Sequence, residues 1–203
     1  FWRDYLRDFS TPTPLAYDRP PQGLADQNDD AADHCVHLSP DLTARLTTLA
    51  QQHRVTPNTF VQGAWAILLA YYSGERDVLF GVTVAGRPTQ LLGVESVLGL
   101  FINTLPLRVS VSPERPVLAW LKDLLAENIR LREYEYTPLI HIQRCSEIPR
   151  GEALFHSLFV FENAPVDPAL CEGRIMFRAE EEQYRVHTNY PMTVMGWPGK
   201  ELG

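Results

Sequence analysis

Between Thr56 and Gly74, apolar side chains recur every three or four residues, at Phe60, Val61, Ala64, Trp65, Leu68, Leu69 and Tyr72. That spacing predicts a helix turned toward a core. Thr56-Pro57 supplies a hydroxyl cap and a proline at the first helical position, and Gly74 supplies the stop. The stripe reads as a buried helix. At roughly 1.5–3 kcal/mol per large side chain removed from water, it forms a major part of the core.

The same reading sorts the rest of the chain. Trp2, Tyr5, Leu6 and Phe9 suit a short amphipathic helix that proline ends. Residues 10–33, rich in Pro, Asp and Asn, read as a long surface connection. Residues 35–38 read as a short strand. Ser39-Pro40-Asp41 then starts a helix that runs to about His53. Residues 77–84 and 101–111 are β-rich with a Gly-containing connection between them. A third helix starts near Pro116 and carries Leu118, Leu121, Leu124, Leu125 and Ile129 on one face, until Thr137-Pro138 interrupts it. A shorter helix from Pro138 to about Cys145 follows. Three more β-like runs cover residues 154–161, 174–178 and 184–194. Strands and helices mix without regular alternation. The expected fold is therefore α/β in the α+β sense, a mixed sheet flanked by helices, forming one domain-sized unit over residues 1–203.

Composition removes several functions. The chain has 203 residues, 45% hydrophobic and 21% charged, and a formal net charge of −7 with its basic residues scattered singly. That disfavours a nucleic-acid binder, which needs clustered Lys and Arg. No apolar run approaches the length of a membrane span, and Phe1-Trp2-Arg3-Asp4 lacks a signal-peptide pattern. The absence of an initiator Met gives the expectation of a piece excised from a longer polypeptide. Cys35, Cys145 and Cys171 are odd in number and widely spaced, which fits a reduced, cytoplasmic protein better than a disulfide or zinc framework.

Catalytic signatures are missing. There is no nucleophile elbow, dinucleotide fingerprint or phosphate loop. His34 and His37 fall three apart in an expected strand, which sends them to opposite faces and argues against a metal. His37-x-x-x-Asp41 superficially resembles half of an acyltransferase motif, but Asp41 is accounted for as a helix-start residue. His53, His141, His156 and His187 have no orienting partner visible in the sequence. No catalytic residue is assigned within the chain.

Residues 98–108, Leu-Gly-Leu-Phe-Ile-Asn-Thr-Leu-Pro-Leu-Arg, resemble the Gly-x-Phe-x-Asn-Thr-x-x-x-Arg motif of nonribosomal peptide synthetase condensation domains. Four further segments are similar to that family, in the right order. They are Val84-Ala85-Gly86-Arg87-Pro88, Tyr136-Thr137-Pro138-Leu139, the run 154–163 ending Phe161-Glu162-Asn163, and Asn189-Tyr190-Pro191-Met192-Thr193. The resemblance covers essentially the whole chain and aligns it with the C-terminal lobe of such a domain. It implies half of a pseudo-dimer like chloramphenicol acetyltransferase, with a substrate tunnel between the lobes. The family's His-His-x-x-x-Asp-Gly motif belongs to the N-terminal lobe, so the chain alone is expected to be inactive.

By that resemblance, Asn163, Phe101 and Asn103 belong to the tunnel, and Arg87 pairs with the aspartate of the catalytic motif and keeps the lobes in register. The connection over residues 85–98 floors the tunnel. Read as residues alone, Asn163 fits equally a strand-ending turn. Asn103 fits a buried polar group satisfied by backbone as well as a substrate contact. The implied reaction is peptide-bond formation between thioesters carried on the phosphopantetheine arms of partner carrier domains, with no cofactor or metal bound by this chain. A non-catalytic platform recruiting carrier or tailoring proteins, or an epimerisation or heterocyclisation variant, remains the alternative.

Overall fold

The computed structural model describes residues 1–15, 32–86, 93–149, 151–162 and 188–203. Among the described residues, five α-helices and four strands follow in chain order: α1 (Trp2–Tyr5), α2 (Pro40–His53), α3 (Pro57–Ser73), β1 (Asp77–Val84), β2 (Asn103–Ser110), α4 (Val117–Arg132), α5 (Leu139–Gln143), β3 (Ser157–Phe161) and β4 (Met192–Gly196). The strands form one mixed sheet in the order β2-β1-β3-β4. β1 runs antiparallel to β2 and parallel to β3, which runs parallel to β4. This is the expected mixed sheet flanked by helices.

The helix starts follow the sequence signals. Ser39 Oγ accepts from the Leu42 amide, and Thr56 Oγ1 accepts from the Thr59 amide. Each satisfies one of the donors that a helix N-terminus leaves open. Gly74 closes α3 in the left-handed conformation.

The face that α3 buries matches the expected one only in part: Leu69 is buried, and Phe60, Val61 and Trp65 pack against the core. Thr59, Gln62, Gly63, Ala66 and Leu69 point inward, while Ala64, Leu68 and Tyr72 of the expected stripe are exposed. Close approach to α4 explains the difference. A β-carbon on Gly63 would lie 2.7 Å from Leu121 Cδ2 and 3.0 Å from the Trp120 ring, so the contact is built on small side chains. Asn128 Nδ2 donates to Gln62 Oε1 across the same crossing. With no charged residue anywhere in α3, spacing alone leaves the inward face undetermined.

Three other expectations change. Residues 35–38 form no strand; the Leu38 amide donates to the Leu202 carbonyl at 2.8 Å, and the Leu38 carbonyl accepts from Thr43 Oγ1. The described part of the 10–33 connection is not a loose surface run, because Pro12 and Thr13 are buried and Thr13 Oγ1 accepts from the Leu79 amide of β1. On α4, Leu121 and Leu124 are buried but Ile129 is exposed. The β-like run 174–178 lies outside the described residues, and of 184–194 the described strand begins at Met192.

The core lies where β1 is covered on both faces. Phe80 meets Phe159 edge to face at 6.3 Å, and Phe155 fills the space over Gly81 on the opposite side of the strand. Leu6, Leu105, Leu107, Leu121, Leu131 and Ile142 complete it, all at most 2% exposed. The outer edge of β2 is occupied: the Arg108 amide donates to the Tyr5 hydroxyl at 2.7 Å. An edge strand whose amide is already taken offers little to a foreign strand.

Candidate substrate-tunnel face

Because β1, β3 and β4 are parallel, their C-terminal ends gather at one end of the sheet, together with the start of β2. Gly81 is level with Leu158 and Val82 with Phe159, and continuing that register brings Val84 level with Phe161. Phe161 is in turn level with Gly196. Val84 also pairs with Asn103. Arg87 and Asn163 lie outside the described residues, three and two positions beyond Val84 and Phe161. The strands that lead to them end side by side. In α/β sheets the carboxyl ends of parallel strands are where ligands gather.

The connection from β1 to β2 has a tight neck at this end. Gly86 adopts a φ of +62°, and any β-carbon there would overlap the Phe101 carbonyl oxygen. Only glycine meets both demands. Phe101 itself is half-buried. Beyond the neck the chain carries an apolar strip into solvent, with Leu98 98% and Leu100 90% exposed and Val97 and Ile102 exposed beside them.

Asn103 sits at the neck with its amide turned onto protein. Its Nδ2 donates to the Glu135 carbonyl at 2.7 Å and the Thr137 carbonyl at 2.9 Å, and its Oδ1 accepts from the Thr104 amide at 2.9 Å. Of the two readings left open by the sequence, the geometry is that of a polar group satisfied by backbone. The Glu135 carboxyl nearby is raised above its ordinary pKa by burial, with Arg132 acting in the opposite direction.

A second polar cluster was not singled out from sequence. Arg108, the last residue of the matched motif, donates from Nε and Nη2 to the Asp77 carboxylate at 2.6–3.1 Å. Its Nη1 donates to the carbonyls of Tyr5 and Arg7. The guanidinium also lies 5.4 Å from the Phe9 ring centroid. Hydrogen bonding to Asp77 raises the Arg108 pKa, while burial of Tyr5 pushes its phenol above the ordinary value. Arg108 therefore fastens the N-terminal segment to the sheet. Its partners are 31 and about 100 residues away, so no local pattern marks them.

The described histidines form no cluster with other metal-ligating residues. His34, His37 and His141 are exposed, and His37 Nε2 lies 3.2 Å from Cys35 Sγ. Among the described residues no group of three or more His, Cys, Asp or Glu is arranged to hold a metal, and no helix is long and apolar enough to cross a membrane.

The family model described as "Condensation domain" matches residues 1–203. The linear gramicidin synthase of Brevibacillus parabrevis contains a stretch 45% identical over 202 residues, which is 100% of this chain and 3% of that protein. Chondramide synthase cmdD of Chondromyces crocatus is 44% identical over 203 residues, 100% of this chain and 5% of its own length. The chain thus spans a small fraction of the curated relatives it matches. Among solved structures, the complex of the X-domain and OxyB from teicoplanin biosynthesis aligns with a TM-score of 0.66 at 22% identity, over 81% of this chain and 36% of that one. That likeness speaks for the fold alone.

Proposed function

This chain belongs to the condensation-domain family, and we propose that residues 1–203 form the C-terminal lobe of a domain that joins carrier-bound aminoacyl and peptidyl thioesters. The observation that carries the reading is the convergence of β1, β3 and β4 at one sheet end, where the Arg87 and Asn163 segments begin and Asn103 closes the neck. The motif segment 84–86 leaves β1 at this end, the segment 154–162 runs along β3 toward it, and the segment 98–108 enters β2 there with Asn103 bonded to the 136–139 turn, whereas the segment 189–193 leads into β4 at the opposite end.

The chemistry asks mainly for positioning. The amine of the downstream aminoacyl thioester attacks the upstream thioester carbonyl, the C–N bond forms, the C–S bond breaks and the phosphopantetheine thiol leaves. Holding two tethered reactants in a dry channel supplies much of the rate. The proton is handled by a histidine of the other lobe. In this reading Asn163 and Phe101 line the tunnel and Asn103 supports it. Arg87 reaches the other lobe through a charge-assisted contact that keeps the two halves in register. The exposed strip at Val97, Leu98, Leu100 and Ile102 is the apolar surface with which the connecting loop meets that lobe. The phosphopantetheine arms arrive with the carrier domains as part of the substrates, and the place of action is the cytoplasm.

The test is a reconstituted condensation with the complete domain and two loaded carriers, followed by mass spectrometry of the carrier-bound product. The reading predicts a new amide on the downstream carrier and its loss in Arg87→Ala. Product formation with undiminished rate and stability in Arg87→Ala would return Arg87 to an ordinary surface residue. A second reading, a recruitment platform without chemistry, draws on the fold likeness to the X-domain found in complex with OxyB. Absence of any amide product, with tight binding of a partner enzyme, would favour it.

A further inference from the structure

Asn103 is the first residue of β2, where the connecting loop returns to the sheet. Its two side-chain N–H groups are spent on carbonyls 32 and 34 residues downstream, in the turn between α4 and α5. Such carbonyls past a helix C-terminus have no partner within the helix, so the amide answers a need of the turn as well as of the strand. The turn has its own anchors. The Thr137 amide donates to the Tyr134 carbonyl at 3.0 Å, and the Tyr134 ring stacks on Phe1 at 3.9 Å and 5°. On the other side of Asn103 the chain runs straight into the exposed strip, with Phe101 pinned against Gly86. The Asn103 side chain therefore joins a corner of the helical layer to the foot of a loop from which Leu98 and Leu100 project into solvent.

We infer that Asn103 is a positioning residue. By anchoring residues 93–102 to the α4–α5 turn, it sets the height and direction at which this loop crosses to the other half of the tunnel, and it does not itself touch the thioesters. The inference rests on the tunnel reading above, and it concerns how the wall is held. A small misplacement of such a wall costs rate, because alignment of the reactants is what the site contributes.

Asn103→Asp keeps the size and the acceptor for the Thr104 amide but turns lone pairs toward two carbonyls. Asn103→Ala removes all three bonds. In the complete domain both variants should lower the condensation rate constant by about tenfold or more, with the half-saturating carrier concentrations unchanged. Relative to wild type, Asn103→Asp should recover as the pH falls and its carboxyl gains a proton to donate, whereas the Asn103→Ala ratio stays flat. Hydrogen exchange should quicken in residues 93–102 and stay unchanged in β1 and β3. A rate within twofold of wild type overturns the inference. So does faster exchange spread over the whole sheet, which would make Asn103 a determinant of the fold. If the wild-type domain forms no amide, the tunnel reading fails, and localised exchange in 93–102 still reports whether Asn103 anchors the loop.

Discussion

Arg108 and Asp77 meet diagonally across the β1–β2 pair, with Nη2 and Oδ2 2.6 Å apart and Nε shared between both carboxylate oxygens. The Arg108 side chain is 21% exposed and Asp77 44%, so solvent screens part of the attraction. The fork matters more than the charge, because Nη1 still reaches two carbonyls of the N-terminal segment. Arg108→Lys keeps the charge and loses the fork. We expect it to cost about 1–2 kcal/mol, and Arg108→Ala more. Urea unfolding of the complete domain checks this, and an unchanged midpoint in Arg108→Ala would make the cluster ornamental.

Tyr5 makes a prediction with a defined pH sign. Its hydroxyl accepts from the Arg108 amide, and burial holds its pKa above the ordinary value of 10.0. The folded state therefore keeps the phenol proton where the unfolded chain releases it. The Tyr5 contribution is fully present below about pH 10 and fades as the pH rises further. Tyr5→Phe leaves a buried amide without its acceptor and should cost about 1–3 kcal/mol at neutral pH. It should also flatten the loss of stability above pH 10, as measured by denaturation at a series of alkaline pH values.

Gly86→Ala separates steric overlap from backbone preference. Gly74 has a similar φ of +75° with nothing within 4 Å of a β-carbon, so Gly74→Ala carries only the conformational cost, about 1 kcal/mol. At Gly86 the Phe101 carbonyl must also move. The loop neck should open, with faster hydrogen exchange in residues 93–102 and a drop in condensation rate that Gly74→Ala does not share. Equal behaviour of the two variants would mean that the neck does not govern the loop.

How much of this was legible in the sequence depends on the range of the interaction. Helix caps at Ser39 and Thr56 and the strand pair around Val84 and Asn103 are local or strongly patterned, and they stand where the residues put them. The inward face of α3 was only partly legible, because a helix without charged residues, whose polar Thr59 and Gln62 face inward, leaves its inward face open until a neighbour approaches at Gly63. Thr13 in a Pro-rich stretch gave no hint of its bond to Leu79. For the site, the motif segments were found, but the partners of Asn103 and Arg108 are backbone carbonyls and side chains far away in sequence, which leave no pattern to read. Arg87 and Asn163 stand on the resemblance and on the strands that lead to them.

We propose that this lobe shapes and floors the tunnel while the proton-handling group comes from the other lobe. The most direct measurement incubates loaded donor and acceptor carriers with the complete domain and, separately, with residues 1–203 shown to be folded by circular dichroism. Carrier-bound product is then followed by mass spectrometry. The account predicts amide product with the complete domain and none above a buffer control with residues 1–203 alone. Turnover by residues 1–203 alone would contradict it.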